Sequence, residues 1–172
     1  MNLDQALKHL TYGYYILATR KAGKELVTRD EDWVSAGTVS WAIQSSFKPP
    51  FITVAIEKDS DLNETIQKAQ SFSLTILRKE DKKLIKQFAE HTAVDHDKHR
   101  LNGVNYRESE KTGAPLLDCG LVTFDCKLSD ALTTKGDHIL FVGEVVAVTT
   151  NGAGEPIKDA DARFEYAGTE RS

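Results

Sequence analysis

Apolar positions along the chain change their spacing several times, and each change predicts an element. Leu3, Leu7 and Leu10, with Ala6, recur at helical spacing, which predicts a short N-terminal helix capped by Asn2 or Asp4 and ending before Tyr12-Gly13. Residues 14–19 are aromatic and β-branched and predict a strand. Residues 21–32 are strongly polar and read as an exposed hairpin arm or long loop. Two further strands are predicted over 34–43 and 51–57, with Pro49-Pro50 confined to their connection because proline cannot donate to a ladder. Leu62, Ile66 and Ala69 share one side of a helix over 61–69, capped by Ser60 or Asp61. A strand over 71–77 and a helix over 82–90 follow. From 91 to 118 the chain is polar and turn-rich, and no core element is expected there. Strands are predicted again over 121–128 and 138–149, with a last short one over 162–166. Strands outnumber helices without regular βαβ alternation, so the pattern predicts a mostly antiparallel barrel with helical additions.

Composition narrows this picture. The chain has 172 residues, the size of one domain, and is read as a single domain over 1–172 with its core at about 10–149. Its formal net charge of −4 argues against nucleic acid as the main partner. No apolar run approaches the roughly 20 residues needed to cross a bilayer as a helix. The polar start MNLDQALKHL lacks the features of a secretory signal. The two cysteines, Cys119 and Cys126, have no finger-like spacing and read as buried thiols in a reducing cytoplasm rather than a disulfide.

Few stretches point to chemistry. Residues 37–50, GTVSWAIQSSFKPP, set Thr38, Ser40, Ser45 and Ser46 around Trp41 and Phe47. That mixture suits a ligand with a flat ring and an anionic tail, and equally a strand followed by a serine-rich turn. Lys58-Asp59-Ser60 precedes a helix, where an anion can bind, although an ordinary capped helix explains the residues by themselves. Gly136-Asp137-His138 stands before the valine-rich strand and reads as a turn with a histidine at its rim. His91, His96 and His99, among Asp95 and Asp97, fit no zinc spacing and read as a solvated loop, so no metal site is expected. No GxGxxG, GxxxxGK[ST] or GxSxG motif occurs.

Taken in order, these segments resemble the flavin reductase-like, FMN-binding split-barrel family. The resemblance is carried by Tyr12-Gly13-Tyr14-Tyr15, Thr38-Val39-Ser40-Trp41, the stretch 44–50, Glu57-Lys58-Asp59-Ser60, the strand 72–77, Phe88, Asp97-Lys98, the stretch 113–117, Cys126 and Gly136-Asp137-His138 with the strand that follows. It is similar in flavour to the flavin reductase domains attached to flavodiiron proteins. One departure is His99, which stands where the family often has an aromatic residue.

The resemblance implies a mainly β, six-stranded antiparallel Greek-key split barrel with flanking helices, and a homodimer binding FMN, with FAD as the other flavin. NADH or NADPH would be the co-substrate, and a monooxygenase or another acceptor would take the electrons. It places Thr38, Val39, Ser40 and Trp41 along the isoalloxazine and ribityl chain, with Ser46 just beyond. It puts Glu57, Lys58 and Ser60 at the ribityl phosphate, Phe88 near the flavin, and His138 by the ring and the nicotinamide as the catalytic residue. The alternative it leaves is an FMN-binding electron-transfer or carrier protein that does not itself turn over NAD(P)H.

Overall fold

A computed structural model describes residues 1–21 and 33–162. The predicted arm over 21–32 lies, from residue 22 on, outside the described residues, and so does all but the first residue of the strand predicted over 162–166.

The chain begins with α1 (Leu3–Leu7), capped by Asn2, whose side chain accepts from the Gln5 amide. Seven strands then form one antiparallel sheet: β1 (Tyr15–Lys21), β2 (Trp33–Val39), β3 (Ala42–Ser46), β4 (Phe51–Glu57), β5 (Ser71–Ile76), β10 (Val122–Thr133) and β11 (His138–Thr150). Their order across the sheet is β2-β1-β5-β10-β11-β4-β3. The two edge strands, β2 and β3, are one stretch of chain interrupted only at Ser40-Trp41. That stretch, expected as one strand over 34–43, bends so that its first half pairs with β1 and its second with β4. Counted as one, it gives the six strands of the expected barrel, open where the chain crosses from edge to edge.

Helix α2 (Asp61–Ala69) crosses between β4 and β5 and buries Ile66 in the barrel interior among Leu17, Val54, Phe72 and Phe141. Strand β1 is buried on both faces. Leu17 looks into the barrel, whereas Ile16 and Ala18 join a second core with Leu77, Phe88, Leu101, Tyr106 and Leu117. A strand covered on both sides reads as an unbroken apolar run, which Ile16-Leu17-Ala18 is.

The second core corrects the expectation for 91–118. That stretch holds a small antiparallel sheet of β6 (Val94–Asp95), β7 (Arg100–Leu101), β8 (Val104–Glu108) and β9 (Pro115–Leu117). Strands of two to five residues are too short to show a period, and their buried apolar residues, from none in β6 to three in β9, form no alternating pattern. A local signal was nonetheless present. Asn102-Gly103 links β7 to β8 with φ of 45° and 80°, the pair of left-handed residues that a two-residue hairpin turn requires. Helix α3 (Lys82–Gln87), capped by Phe88, stops three residues short of the expected 90, and α4 (Asp159–Ala162) closes the described chain.

Candidate functional site

The region of interest forms where the tip of the β10–β11 hairpin meets the end of β4 and the start of α2. β4 leads from the barrel into 57–60, and His138, first residue of β11, pairs with Glu57, last residue of β4. The Ser60 hydroxyl accepts from the Asn63 amide at 3.2 Å and so caps α2. It also donates to the Glu57 carbonyl at 2.7 Å, fixing the turn.

His138 is held from two sides. Its Nδ1 lies 2.6 Å from Oδ1 of Asp137, and its ring lies against Trp41, with centroids 4.9 Å apart and planes inclined at 42°. The bond from His138 is the main cause holding the Asp137 carboxyl below the usual carboxylate range. An ionised carboxylate can only accept, so the hydrogen bond to Asp137 puts a proton on Nδ1. Trp41 reaches His138 because it leaves the bend between β2 and β3 opposite Ala55, on the same face of β4 as Glu57. Its indole is 44% exposed, so a flat apolar surface stands open beside the histidine.

Two adjoining cavities flank the start of α2 and share Ser60 and Asp61. The larger, about 590 Å³, is framed by Gly37, Thr38, Ser60, Leu62, Phe88 and His91. The other, about 540 Å³, runs along α2 from Lys58 to Lys68. Thr38 is fixed at the cavity wall, its amide donating to the Phe88 carbonyl at 3.0 Å and its hydroxyl to the Ile85 carbonyl at 2.7 Å. The wall is tight at Gly37, where a Cβ would come within 2.9 Å of Leu62.

The structure therefore brings Thr38, Ser60 and Phe88 to one cavity, Lys58 and Ser60 to the next, and Trp41, Glu57 and His138 to the neighbouring rim. Four expected residues, Val39, Ser40, Ser46 and Lys58, have their side chains placed differently. Val39 is buried in the barrel core and Ser40 is only 2% exposed, so the Val39 side chain is directed at the core. Ser46 pairs with Phe51 at the opposite end of β4 from Glu57, about 20 Å away along the strand. Sequence order put Ser46 near the other residues, and the β3–β4 pairing carried it away. Lys58 is directed at the hairpin tip, its ammonium donating to the Thr134 carbonyl at 2.7 Å and to the Gly136 carbonyl. Sequence reasoning did not find Leu62 or Thr134 as parts of this region, and took in Gly37 only as the first residue of the stretch 37–50. A glycine preceding a hydroxyl-rich strand was the only hint available.

The histidines at 91–99 make no metal centre: among the described residues no group of three or more His, Cys, Asp or Glu side chains is arranged to hold an ion. His99, standing where an aromatic was expected, packs its ring on Tyr106 with centroids 5.6 Å apart. Both cysteines are free, and burial pushes each thiol up to about 12. Among the described residues no helix is long and apolar enough to cross a membrane.

Comparison with known proteins gives this geometry a context. Residues 7–168 match the family model described as "Flavin reductase like domain". The chain is 30% identical to a high molecular weight rubredoxin of Moorella thermoacetica over 154 residues, 89% of this chain and 62% of that protein. It is 28% identical to the FMN reductase (NADH) RutF 2 of Rhizobium rhizogenes, covering 86% of this chain and 83% of that one. It is also 28% identical to diflavin flavoprotein A 1 of a Synechocystis species, over 88% of this chain but only 24% of that protein. The chain thus spans less than two thirds of two of these relatives. Among solved structures, the NADH:FAD oxidoreductase of Streptomyces globisporus superposes with a TM-score of 0.75 at 22% identity, covering 95% of this chain and 90% of that one. At that identity the likeness is one of fold.

Proposed function

The chain belongs to the flavin reductase-like domain family, and from that premise we propose that it is an NAD(P)H-dependent flavin oxidoreductase that binds FMN or FAD. The observation that carries the reading is the Trp41–His138 ring pair, centroids 4.9 Å apart, standing at the rim beside two cavities of about 590 and 540 Å³. Cavities of that size hold small cofactors.

The residues present fit a flavin. Thr38 and Phe88 wall the larger cavity, and the exposed face of Trp41 suits a flat ring. Hydroxyls and the first-turn amides of α2 around Ser60 suit the polar tail. Bound flavin would supply the two-electron acceptor for the nicotinamide hydride, so the chain itself needs no acid–base dyad. What the protein contributes is placement. Asp137 holds His138 at Nδ1, and Trp41 sets its tilt. The His138 ring, held there, would meet the nicotinamide and help align its reacting carbon. Val39 and Ser40 take part through their backbone, and Glu57 fixes the strand end that His138 pairs with.

The same reading gives the protein two kinds of partner. A second copy covers the exposed Ile43, Phe47 and Val148 and the apolar cavity of about 420 Å³ at the opening of the barrel, making a homodimer. A monooxygenase or another electron acceptor receives the electrons. The place of work is the cytoplasm, where free thiols persist.

The test is the oxidation of NADH and of NADPH, followed with FMN, FAD or riboflavin added as acceptor. Flavin-dependent oxidation of at least one nucleotide is expected. Flavin binding without oxidation of either would overturn the reductase reading in favour of a carrier.

A further inference from the structure

Lys58 joins two pieces of chain that are far apart in sequence. Its backbone N–H donates to the Asp137 carbonyl at 2.9 Å, and its own carbonyl accepts from the Asn63 side chain at 2.6 Å. Its ammonium reaches the carbonyls of Thr134 and Gly136. Within the tip, the Thr134 hydroxyl donates to the His138 carbonyl at 2.9 Å and accepts from the Gly136 amide at 3.2 Å. Asn63 is braced in turn by Gln67, whose side-chain amide donates to it at 2.7 Å. One residue thus ties α2, the end of β4 and the hairpin tip into a single hydrogen-bonded unit.

The tip needs such a tie. The β10–β11 ladder has its last pair at Thr133 and Ile139, so 134–137 project beyond it. Asp137 is 93% exposed in its side chain and gives the tip no packing. Without the Lys58 ammonium, residues 134–137 would keep only the Lys58 backbone bond to Asp137 and the Thr134 bonds to hold them to the His138–Glu57 pairing below. Two of the three ammonium hydrogens are directed at the tip, which leaves one for anything else.

We propose that Lys58 is a positioning residue that latches the 134–138 tip to α2, and so holds the His138 ring against Trp41 for the nicotinamide, rather than chiefly a ligand of the flavin phosphate. The proposal rests on the reductase reading for its consequence in catalysis, but the latch itself can be observed without any flavin.

The test compares wild type with Lys58→Met and Lys58→Arg. In flavin-free protein, the His138 ring protons, assigned by their loss in His138→Gln, should carry a ring-current shift from Trp41 in the NMR spectrum. That shift should collapse toward the value of an exposed histidine in Lys58→Met and return in Lys58→Arg, with the melting temperature little changed. In the flavin-loaded protein, Lys58→Met should slow reduction by NAD(P)H on the order of ten-fold, by misplacing the contact. FMN and riboflavin should lose affinity to the same small degree. An unmoved His138 resonance in Lys58→Met would overturn the latch, as would a loss of FMN affinity much larger than that of riboflavin. Failure of wild type to oxidise either nucleotide would count against the reductase reading, and the resonance comparison would still decide the latch.

Discussion

His138 and the group His91, His96 and His99 stand in opposite relations to the barrel. By composition the second group is the richer, with three of the five histidines within nine residues and Asp95 and Asp97 between them. Yet its chain folds into a small satellite sheet whose apolar residues seal the second core, and its imidazoles converge on nothing that holds an ion. His138 is alone in its stretch. It is approached by Asp137 from its own turn, Trp41 from the bend between β2 and β3, Lys58 through the turn carbonyls and Glu57 across the ladder. Chemistry in this molecule follows from what the fold brings to a residue, not from how many reactive residues sit together in the chain.

The sharpest way to break that contrast is to remove one histidine from each region. His138→Ala should slow reduction of bound flavin by NAD(P)H about 100-fold, since positioning errors near the reacting atoms carry costs of that order. Flavin affinity should change far less. His96→Ala should leave the reduction rate at the wild-type value. Anaerobic rapid mixing of each variant checks both, and equal effects would erase the distinction.

The next effect is on stability. Leu101 is fully buried in the second core, so Leu101→Ala should cost roughly 2–5 kcal/mol in denaturant unfolding. A cost near zero would return 91–118 to the status of a surface loop.

A smaller effect should appear in acid. Asp81 precedes α3 and receives two side-chain bonds from Arg78, at 2.7 and 2.9 Å, and its pKa is lowered chiefly by them. The carboxyl therefore stabilises the folded chain above its ordinary value, and this contribution is lost as the pH falls through the lower folded value. Wild type should melt above Asp81→Asn near neutrality, and the gap should close in strong acid. A gap independent of pH would mean that the carboxylate charge is not what matters. The smallest expectation concerns the thiols. With both pushed up to about 12, Cys119 and Cys126 should resist alkylation near neutral pH until the chain is unfolded.

Much of this was legible in the residues, and the reasons differ by element. β4 and α2 match their expected bounds because each carries its own period and its own stops, Pro50 before β4 and the Ser60 cap before α2. The bend at Ser40-Trp41 was not legible, because the apolar pattern continues through it and only pairing with two different strands reveals the break. The satellite sheet was partly legible, through Asn102-Gly103, and was missed because its strands are shorter than any period. At the site, the Ser60 cap and the rim position of His138 could be read locally. The direction of the Lys58 side chain could not, since its partners Thr134 and Gly136 lie 76 and 78 residues away. Ser46 shows the reverse error, because nearness in sequence to Trp41 did not survive the antiparallel return of β3 on β4.

In the proposed reductase, this rim delivers a nicotinamide hydride to a bound flavin. The measurement that tests it most directly is a single-turnover experiment without oxygen: protein loaded with FMN is mixed with NADH, and separately with NADPH, while the oxidised-flavin absorbance is followed. Rapid bleaching by at least one nucleotide is expected in wild type, and strongly slowed bleaching in His138→Ala. A bound flavin that neither nucleotide reduces, or one reduced equally fast with His138 removed, would contradict that role of the rim.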